Sequence, residues 1–185
     1  MLNQILDEAE RRMRTTVDVY QRELAGIRTG RAAPDLVSKI KVDYHGQQMV
    51  VEHLARIAVE DARTLAIQPW DAEGVAAISK GIQASELGVM PNVDGNTIRI
   101  TLPPLTAERR NELAKVVRGR AEEARIAVRN IRRDQNDAVK RAEKGGECSE
   151  DDSRRTRNKL QTVTDGSIEQ IDKLTAKKET ELTQV

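Results

Sequence analysis

Arginines recur at helical spacing between Thr106 and Asp137, and they are the residues of this chain best suited to binding a ligand. At about 100° per residue, four of them fall within a sector of roughly 60° on a helical wheel, and Arg110 lies just outside it. These four are Arg118, Arg125, Arg129 and Arg132. Guanidinium groups present planar donors that suit phosphate oxygens. The spacing therefore indicates contact with an extended polyanion, most simply a nucleic acid.

The same spacing also permits a simpler interpretation, in which the arginines only form ion pairs on a solvent-exposed helix face. Acidic residues are interspersed along this segment: Glu122, Glu123, Asp134 and Asp137. Opposite charges three or four residues apart on a helix pair readily. Residue chemistry alone does not choose between the two interpretations.

Other residue types give little support to catalysis. We place His45 at a turn and His53 in a polar loop-like stretch, so both are expected at the surface. No Cys/His cluster has metal-ligand spacing, and no glycine-rich phosphate-binding loop is present. We therefore predict no enzyme activity, no catalytic residue, no metal and no cofactor.

Aromatic residues are too few to form a platform for stacked bases. Phe is absent, and the only aromatic residues are Tyr20, Tyr44 and Trp70. We expect Tyr20 to lie in a helical core and Trp70 to pack within a small domain. Single-stranded nucleic acids are usually bound by aromatic stacking, so what remains is recognition of phosphates and shape in folded RNA or DNA.

Composition limits the class of protein further. A length of 185 residues allows one domain or two small ones, and a third of the residues are charged. The chain has no run of about 18 apolar residues that could span a membrane, and its N-terminus lacks the apolar core of a signal peptide. The single cysteine, Cys148, excludes an internal disulfide. We expect a cytoplasmic protein without a membrane partner, in which Cys148 is an ordinary surface residue.

Charge is distributed unevenly although the formal net charge is only +1. Residues 32–104 contain six basic and nine acidic side chains, whereas residues 105–146 contain twelve basic and seven acidic ones. A division of this kind indicates a directed contact through one face.

Three long stretches have apolar residues at every third or fourth position, which predicts three amphipathic helices. The first runs from Leu2 to about Thr29-Gly30, and the second from Thr106 to about Lys144, with Leu113, Val116, Val117, Ala124, Val128 and Ile131 on its apolar side. Gly145-Gly146 interrupts the pattern, and Ser149 with Asp152 resembles a capping box for the third helix. The third helix is expected to bury Leu160, Val163, Ile168, Ile171, Leu174 and Leu182.

Residues between the first two helices follow strand chemistry. Alternating patterns and turn residues predict strands at 40–44, 47–51, 64–68 and 97–102, with a short helix at 72–87. Because amphipathic helices need partners for their apolar faces, the predicted fold is α+β. Residues 1–30 and 105–185 form a long three-helix bundle, and residues 31–104 form an inserted small α/β domain. Two short connections join them, and such a pair of strands can act as a hinge.

Several motifs then resemble the bacterial ribosome recycling factor family, over essentially the whole chain. They are Lys115–Gly119, Ala127–Asp134, Ile27–Ala32, Val59–Leu65 and Leu102–Thr106. The resemblance implies the same architecture with a two-stranded hinge and an L-shaped outline. It also implies a monomeric, non-enzymatic factor that binds the large subunit of the post-termination ribosome through ribosomal RNA. With elongation factor G and GTP, such a factor splits the subunits and releases ribosomes from messenger RNA.

The resemblance also implies roles for individual residues. Arg132 and Arg129 match the main ribosomal-RNA contacts, with Arg28, Arg31 and Arg110 as helpers. Arg118, Arg125 and Arg133 complete the expected RNA-binding set. The matching hinge residues are Gly30, Arg31, Ala32, Pro103, Pro104 and Leu105. Two alternatives remain at this stage: a helical interaction or scaffold protein whose arginines are merely solvated, and a DNA-binding protein with a basic helix face.

Overall fold

The computed structural model describes residues 1–184 and contains both helices and sheets, as the α+β class predicts. The helices are α1 (Leu2–Ala25), α2 (Asp35–Ser38), α3 (Val51–Leu54), α4 (Ala72–Gln83), α5 (Ala107–Lys144) and α6 (Glu150–Thr183). The strands are β1 (Lys41–Tyr44), β2 (Gln47–Val50), β3 (Ala55–Val59), β4 (Thr64–Pro69), β5 (Asn92–Asp94) and β6 (Thr97–Thr101).

The described chain forms two compact units. A helical unit comprises Met1–Arg28 and Ala107–Gln184, and a smaller unit comprises residues 29–106. The chain therefore leaves the helical unit once and returns to it once.

The helical unit consists of α1, α5 and α6, which pack against one another pairwise. The apolar stripe predicted for the first helix is largely confirmed, since Ala9, Met13, Val17, Tyr20 and Leu24 are all buried. Its end members Leu2, Ile5 and Ile27 are only half-buried, and Ile27 lies beyond the end of α1. On α5 the prediction for Val116 is wrong, because its side chain is 47% exposed. Its neighbour Val117 points into the core instead and is fully buried. Adjacent residues on a helix lie about 100° apart, so only one of two consecutive valines can face the bundle centre.

The buried face of α6 differs from the apolar stripe predicted for it. Leu160, Ile171 and Leu182 are buried, but Val163, Ile168 and Leu174 are only half-buried. The remaining core positions carry hydroxyl residues: Ser153, Thr156, Thr164 and Thr175. Thr156, Thr164 and Thr175 each donate to the backbone carbonyl four residues earlier, at 2.7–2.8 Å. These bonds satisfy the buried hydroxyls, so short polar residues can occupy the core.

The ends of the helices follow local sequence signals. α1 ends at Ala25, before the predicted Thr29-Gly30, and the backbone N–H of Gly26 caps the carbonyl of Arg22 at 3.2 Å. α5 ends at Lys144 as predicted, and Gly146 adopts a left-handed φ of +74° that an L side chain disfavours. The Ser149 hydroxyl accepts from the Asp152 backbone N–H at 3.1 Å, which caps α6 as the sequence indicated.

The smaller unit contains a β1–β2 hairpin and a four-stranded antiparallel sheet in the order β3-β4-β6-β5. Tyr44 pairs with Gln47 around the predicted His45-Gly46 turn. In the larger sheet, Ile67 pairs with both Ile57 and Ile98. The short elements α2, α3, β3 and β5 were not predicted, and His53 lies in α3 rather than in a loop. The short helix was predicted to run to Leu87 but ends at Gln83.

The core of the smaller unit forms where α4 covers the sheet and the hairpin. Ile78 and Ile82 of α4 are fully buried with Leu65, Ile67, Ile98 and Ile100 of the sheet. Helix α4 approaches β1 closely, since a Cβ added to Gly81 would lie 2.2 Å from Val42 Cγ1. The prediction that Trp70 packs within this unit is wrong, because its side chain is 68% exposed. Trp70 follows β4 directly, and the core of this unit consists of aliphatic side chains.

Candidate nucleic-acid interface

The predicted arginine row lies along the edge of α5 that borders α6. Arg118 contacts Glu179, Arg125 contacts Asp172 and Arg132 contacts Gln161. The partner numbers fall as the arginine numbers rise, because the two helices form an antiparallel hairpin around Gly145-Gly146. The tertiary fold thus gives each arginine a different neighbour, although the sequence spacing makes them look equivalent.

Two arginines of the row are held in ion pairs with α6. Arg118 Nε lies 2.6 Å from Glu179 Oε1, and Arg125 Nη2 lies 2.6 Å from Asp172 Oδ1. The hydrogen bond with Asp172, supported by Glu122, raises the pKa of Arg125 above its usual value. These contacts favour the interpretation of a solvated, paired face for Arg118 and Arg125. Exposed pairs of this kind contribute only about 0–1 kcal/mol each, so they remain open to exchange.

Arg129 is more exposed than Arg125 and shares a carboxylate with it. Its Nη1 lies 3.2 Å from Glu122 Oε1, while Arg125 holds the other oxygen of Glu122 at 3.2 Å. One carboxylate therefore serves two guanidinium groups at this point of α5. The Arg129 side chain is 46% exposed and can approach a ligand from solvent.

Arg132 has a neutral partner. Its Nη1 donates to the amide oxygen of Gln161 at 2.9 Å, and Gln161 Nε2 donates onward to Asp165 Oδ1 at 2.7 Å. No ion pair joins Arg132 to a carboxylate within residues 1–184. The amide fixes the direction of the guanidinium and separates it from Asp165. The positive charge of Arg132 is therefore oriented but not neutralised.

The other predicted RNA-binding residues are distributed over both units. Arg133 is exposed on α5, next to Arg132. Arg110 is half-buried in the first turn of α5. Arg28 is exposed just after α1, in the helical unit. Arg31 is exposed and belongs to the smaller unit. The α5 arginines are brought together on one helix, whereas Arg28 and Arg31 stand apart in the chain.

Gly30 and Leu105, from the two predicted hinge segments, meet within the smaller unit. Gly30 has a φ of +74°, and a Cβ added to it would lie 3.0 Å from Leu105 Cγ. The backbone N–H of Ala32 donates to Ala62 O, and that of Leu102 to Arg63 O, both at 2.8 Å. Both segments are thereby tied to the turn before β4. Arg31, Pro103 and Pro104 are exposed beside them.

Sequence reasoning overlooked the basic residues of α1. Arg12 Nη2 lies 3.4 Å from Asp134 Oδ2 of α5, so it neutralises an acidic group two positions from Arg132. Nothing in the α1 pattern indicates this contact, because it joins residues that are 122 positions apart. The consequence is that positive charge is in excess at the Arg129–Arg133 end of the row.

The His, Cys and acidic side chains of the described chain are dispersed. Within residues 1–184, no group of three or more His, Cys, Asp or Glu side chains could hold a metal ion. His45 Nε2 lies 2.9 Å from Glu73 in the smaller unit, and both side chains are exposed. Cys148 is a free, half-buried thiol in the α5–α6 loop. Over the same residues, no helix is both long and apolar enough to cross a membrane.

Comparison with known proteins identifies relatives over the full chain. A family model described as ribosome recycling factor matches residues 20–183. A ribosome-recycling factor from Dehalococcoides mccartyi strain 195 is 51% identical over 185 residues, covering all of both chains. The factor from Bacillus licheniformis is 48% identical, again over all of both chains.

Solved structures give the same family. A solution structure of a ribosome recycling factor is 43% identical, with a TM-score of 0.73 over all of this chain and 98% of the other. A second structure has a TM-score of 0.64 at 40% identity, over 98% of each chain. It describes models for the T. thermophilus ribosome recycling factor and the E. coli elongation factor G bound to the E. coli post-termination complex.

Proposed function

The chain belongs to the ribosome recycling factor family, a family of translation factors, and on that premise we propose that it binds the post-termination ribosome. With elongation factor G and GTP, it separates the ribosomal subunits and so frees ribosomes from messenger RNA. Its own residues perform no bond-making step. The GTP hydrolysis belongs to the elongation factor, and this chain supplies binding and mechanical coupling.

The observation that carries this proposal is the state of Arg132. Its guanidinium is oriented by the Gln161 amide and has no carboxylate partner within the described chain. A phosphate oxygen that approaches Arg132 gains a charge-assisted hydrogen bond without first displacing an ion pair. Arg129 and Arg133 extend the positive surface on either side. We assign the primary contact with ribosomal RNA of the large subunit to Arg132 and Arg129.

The remaining arginines provide a weaker, general attraction. Arg118 and Arg125 must exchange a carboxylate for a phosphate, and the exposed pairs are weak enough for that exchange. Phosphate contacts fix position without reading base sequence. That property suits a factor whose target is one RNA surface of fixed shape. It also explains why the arginine row needs no aromatic side chains for stacking on bases.

The choice of elongation factor G as partner is supported by the relative that was described together with that factor on a post-termination complex. In our proposal the helical unit holds the large subunit, and the smaller unit receives the motion of the elongation factor. The two connections at Gly30–Ala32 and Pro103–Leu105 serve as the hinge. The factor acts as a cytoplasmic monomer.

A subunit-splitting assay tests this function. Purified post-termination ribosomes are mixed with elongation factor G, GTP and this protein, and separation is followed by light scattering. We expect splitting that needs all three components. A second arm lengthens both connections with flexible glycine–serine insertions, which should preserve ribosome binding and reduce splitting. If ribosomes in the complete mixture split no faster than ribosomes without this protein, the proposed function is wrong. Full splitting by the lengthened protein would contradict only the role of the two connections as a hinge.

A further inference from the structure

The turn between β3 and β4 holds both chain segments that lead to the helical unit. We call residues 29–34 the first connection and residues 102–106 the second connection. In the first connection, the backbone N–H of Ala32 donates to Ala62 O at 2.8 Å. In the second, the backbone N–H of Leu102 donates to Arg63 O at the same distance. The two accepting carbonyls belong to consecutive residues, so one turn of the smaller unit carries both connections.

The two connections are not held equally well by this turn. Leu102 extends the ladder in which Thr64 pairs with Thr101, and its large side chain is buried in the core of the smaller unit. Ala32 belongs to no strand and buries only a methyl group. A methyl group is too small to anchor a segment by burial alone. The first connection therefore depends strongly on its hydrogen bond to Ala62.

Asp61 sets the direction of the carbonyl that holds the first connection. Its Oδ1 accepts from the backbone N–H of Arg63 at 2.8 Å. That N–H and the carbonyl of Ala62 belong to the same peptide group, which is planar and turns as one rigid unit. The carboxylate on one side of the peptide therefore fixes the carbonyl on the other side. The same bond is the main reason why the pKa of Asp61 lies below its usual value.

The connections also touch each other at their free parts. Gly30 has a φ of +74°, and a Cβ added to it would lie 3.0 Å from Leu105 Cγ. Residues 29–31 are the only part of the first connection between its bond to the turn and the helical unit. If that bond opened, the free length would extend to residue 34, just before α2 begins at Asp35. The bond to Ala62 thus keeps the first connection short.

We propose that Asp61 is a positioning residue of the hinge, which ties the first connection to the turn that also holds the second by fixing the Ala62–Arg63 peptide. Both connections then bend together as a single pivot. A displacement of the smaller unit is transmitted to the helical unit and is not lost in a longer, looser segment. This inference rests on the proposed function and names a residue on which the mechanical coupling depends.

The alternative is that Asp61 only caps a turn, and the chain offers a matched control for it. Asp43 Oδ1 accepts from the backbone N–H of Gly46 at 2.9 Å, in the turn between β1 and β2. Asp43 and Asp61 are both exposed, and each caps a turn of the smaller unit. Within residues 1–184, however, no backbone hydrogen bond joins the β1–β2 turn to either connection. Loss of the Asp43 cap should therefore leave the coupling intact.

The test compares Asp61→Ala, Asp61→Asn and Asp43→Ala with the parent protein. Asparagine keeps a side-chain oxygen that accepts from a backbone N–H two residues later, whereas alanine has none. Three quantities are measured on the full chain. They are amide hydrogen exchange at Ala32 and Leu102, the Kd for purified large ribosomal subunits, and the rate of subunit splitting with elongation factor G and GTP at saturating concentrations of the variant.

For Asp61→Ala we expect the Ala32 amide to exchange faster by about tenfold, since roughly one hydrogen bond of protection is lost. The Leu102 amide, which is part of a ladder, should change less. The Kd should stay parental, while splitting at saturation slows several-fold because the fault lies after binding. Asp61→Asn should restore most of the splitting rate. Asp43→Ala should match the parent in splitting and in exchange at both amides.

Four results would overturn the inference. Parental exchange at Ala32 in Asp61→Ala would mean that the carboxylate does not hold the first connection. Faster exchange with parental splitting, or equally slow splitting by Asp43→Ala, would mean that the bond has no role in coupling. Weaker binding of Asp61→Ala to large subunits would place its effect in the binding step. Absence of splitting by the parent protein contradicts the proposed function itself, whereas normal splitting by both parent and Asp61→Ala contradicts this inference alone.

Discussion

At the scale of single residues, the neighbour across the helix pair decides what an arginine can do. Arg118, Arg125 and Arg132 share one side of α5 in the sequence, and only the packing of α6 makes them different. Arg118 and Arg125 each contact a carboxylate of α6, whereas Arg132 contacts the amide of Gln161. Helical spacing predicts the row, but it cannot predict the partners, which come from residues 29 to 61 positions away.

Tyr20 is a second residue whose chemistry is set by burial. It is 1% exposed, as the sequence predicted for a core residue, and its hydroxyl lies 2.6 Å from Thr175 Oγ1. Because Thr175 donates to the carbonyl of Ile171, its hydroxyl accepts from Tyr20. Burial raises the pKa of Tyr20 above its usual value near 10, and the bond to Thr175 only partly opposes this.

Alkaline unfolding tests this environment. Above about pH 10 the unfolded chain ionises Tyr20 before the folded chain does, so the folded state holds more protons and loses stability as pH rises. Tyr20→Phe should cost about 1 kcal/mol at neutral pH, because Thr175 loses its donor. It should also flatten the fall in unfolding free energy between neutral pH and strongly alkaline pH. Urea unfolding at several pH values measures both, and identical pH profiles for parent and variant would contradict the raised pKa.

At the scale of elements, the long helices were predictable, whereas several of the short elements were not. Periodicity over more than about six turns identifies α1, α5 and α6, because many residues contribute to the same face. The short strands β1, β2, β4 and β6 were predicted from alternation and turn residues, whereas α2, α3, β3 and β5, with three to five residues each, were not. Their existence depends on pairing, as β5 forms only against β6. The buried threonines of α6 were not predicted, because threonine counts as a polar residue in a sequence pattern. In the structure their hydroxyl groups donate to backbone carbonyls of the same helix, so they can be buried.

Close approach between elements gives an element-scale prediction. Gly81 has an ordinary helical φ, but its Cβ would lie 2.2 Å from Val42 Cγ1, where α4 crosses β1. Gly81→Ala should therefore destabilise the smaller unit by about 1–3 kcal/mol through overpacking, despite the better helix propensity. Amide hydrogen exchange should show faster opening of β1, β2 and α4.

The matched control for Gly81 is the exposed Gly46, in the β1–β2 turn. A Cβ there meets nothing within 4 Å, but φ is +78°, so Gly46→Ala should show only the penalty for a left-handed backbone, about 1 kcal/mol. Double substitution Gly81→Ala with Val42→Ala should recover part of the loss, since the clashing methyl group is removed. A Gly81→Ala protein as stable as the parent would show that α4 does not approach β1 this closely.

At the scale of the whole molecule, the chain divides into two units with different charge. The smaller unit corresponds to the acidic segment, and α5 carries the basic one. Near neutrality of the total charge conceals this division, which becomes visible only when the charges of the two segments are counted separately. The sequence predicted the segment that binds RNA in our proposal. The family resemblance already named Arg132 and Arg129, and the packing of α5 against α6 adds a physical reason for Arg132, which meets an amide instead of a carboxylate.

The most direct test of the account is the binding of Arg132→Ala to purified large ribosomal subunits over a range of salt concentrations, with Arg118→Ala as control. Arg132→Ala removes an unneutralised guanidinium, so we expect binding weakened by about 1–3 kcal/mol and a salt slope reduced by about one. Arg118→Ala removes a guanidinium already paired with Glu179, so its affinity should stay within a few-fold of the parent. Parental affinity and slope for a folded Arg132→Ala, or equal losses for both variants, would contradict the account.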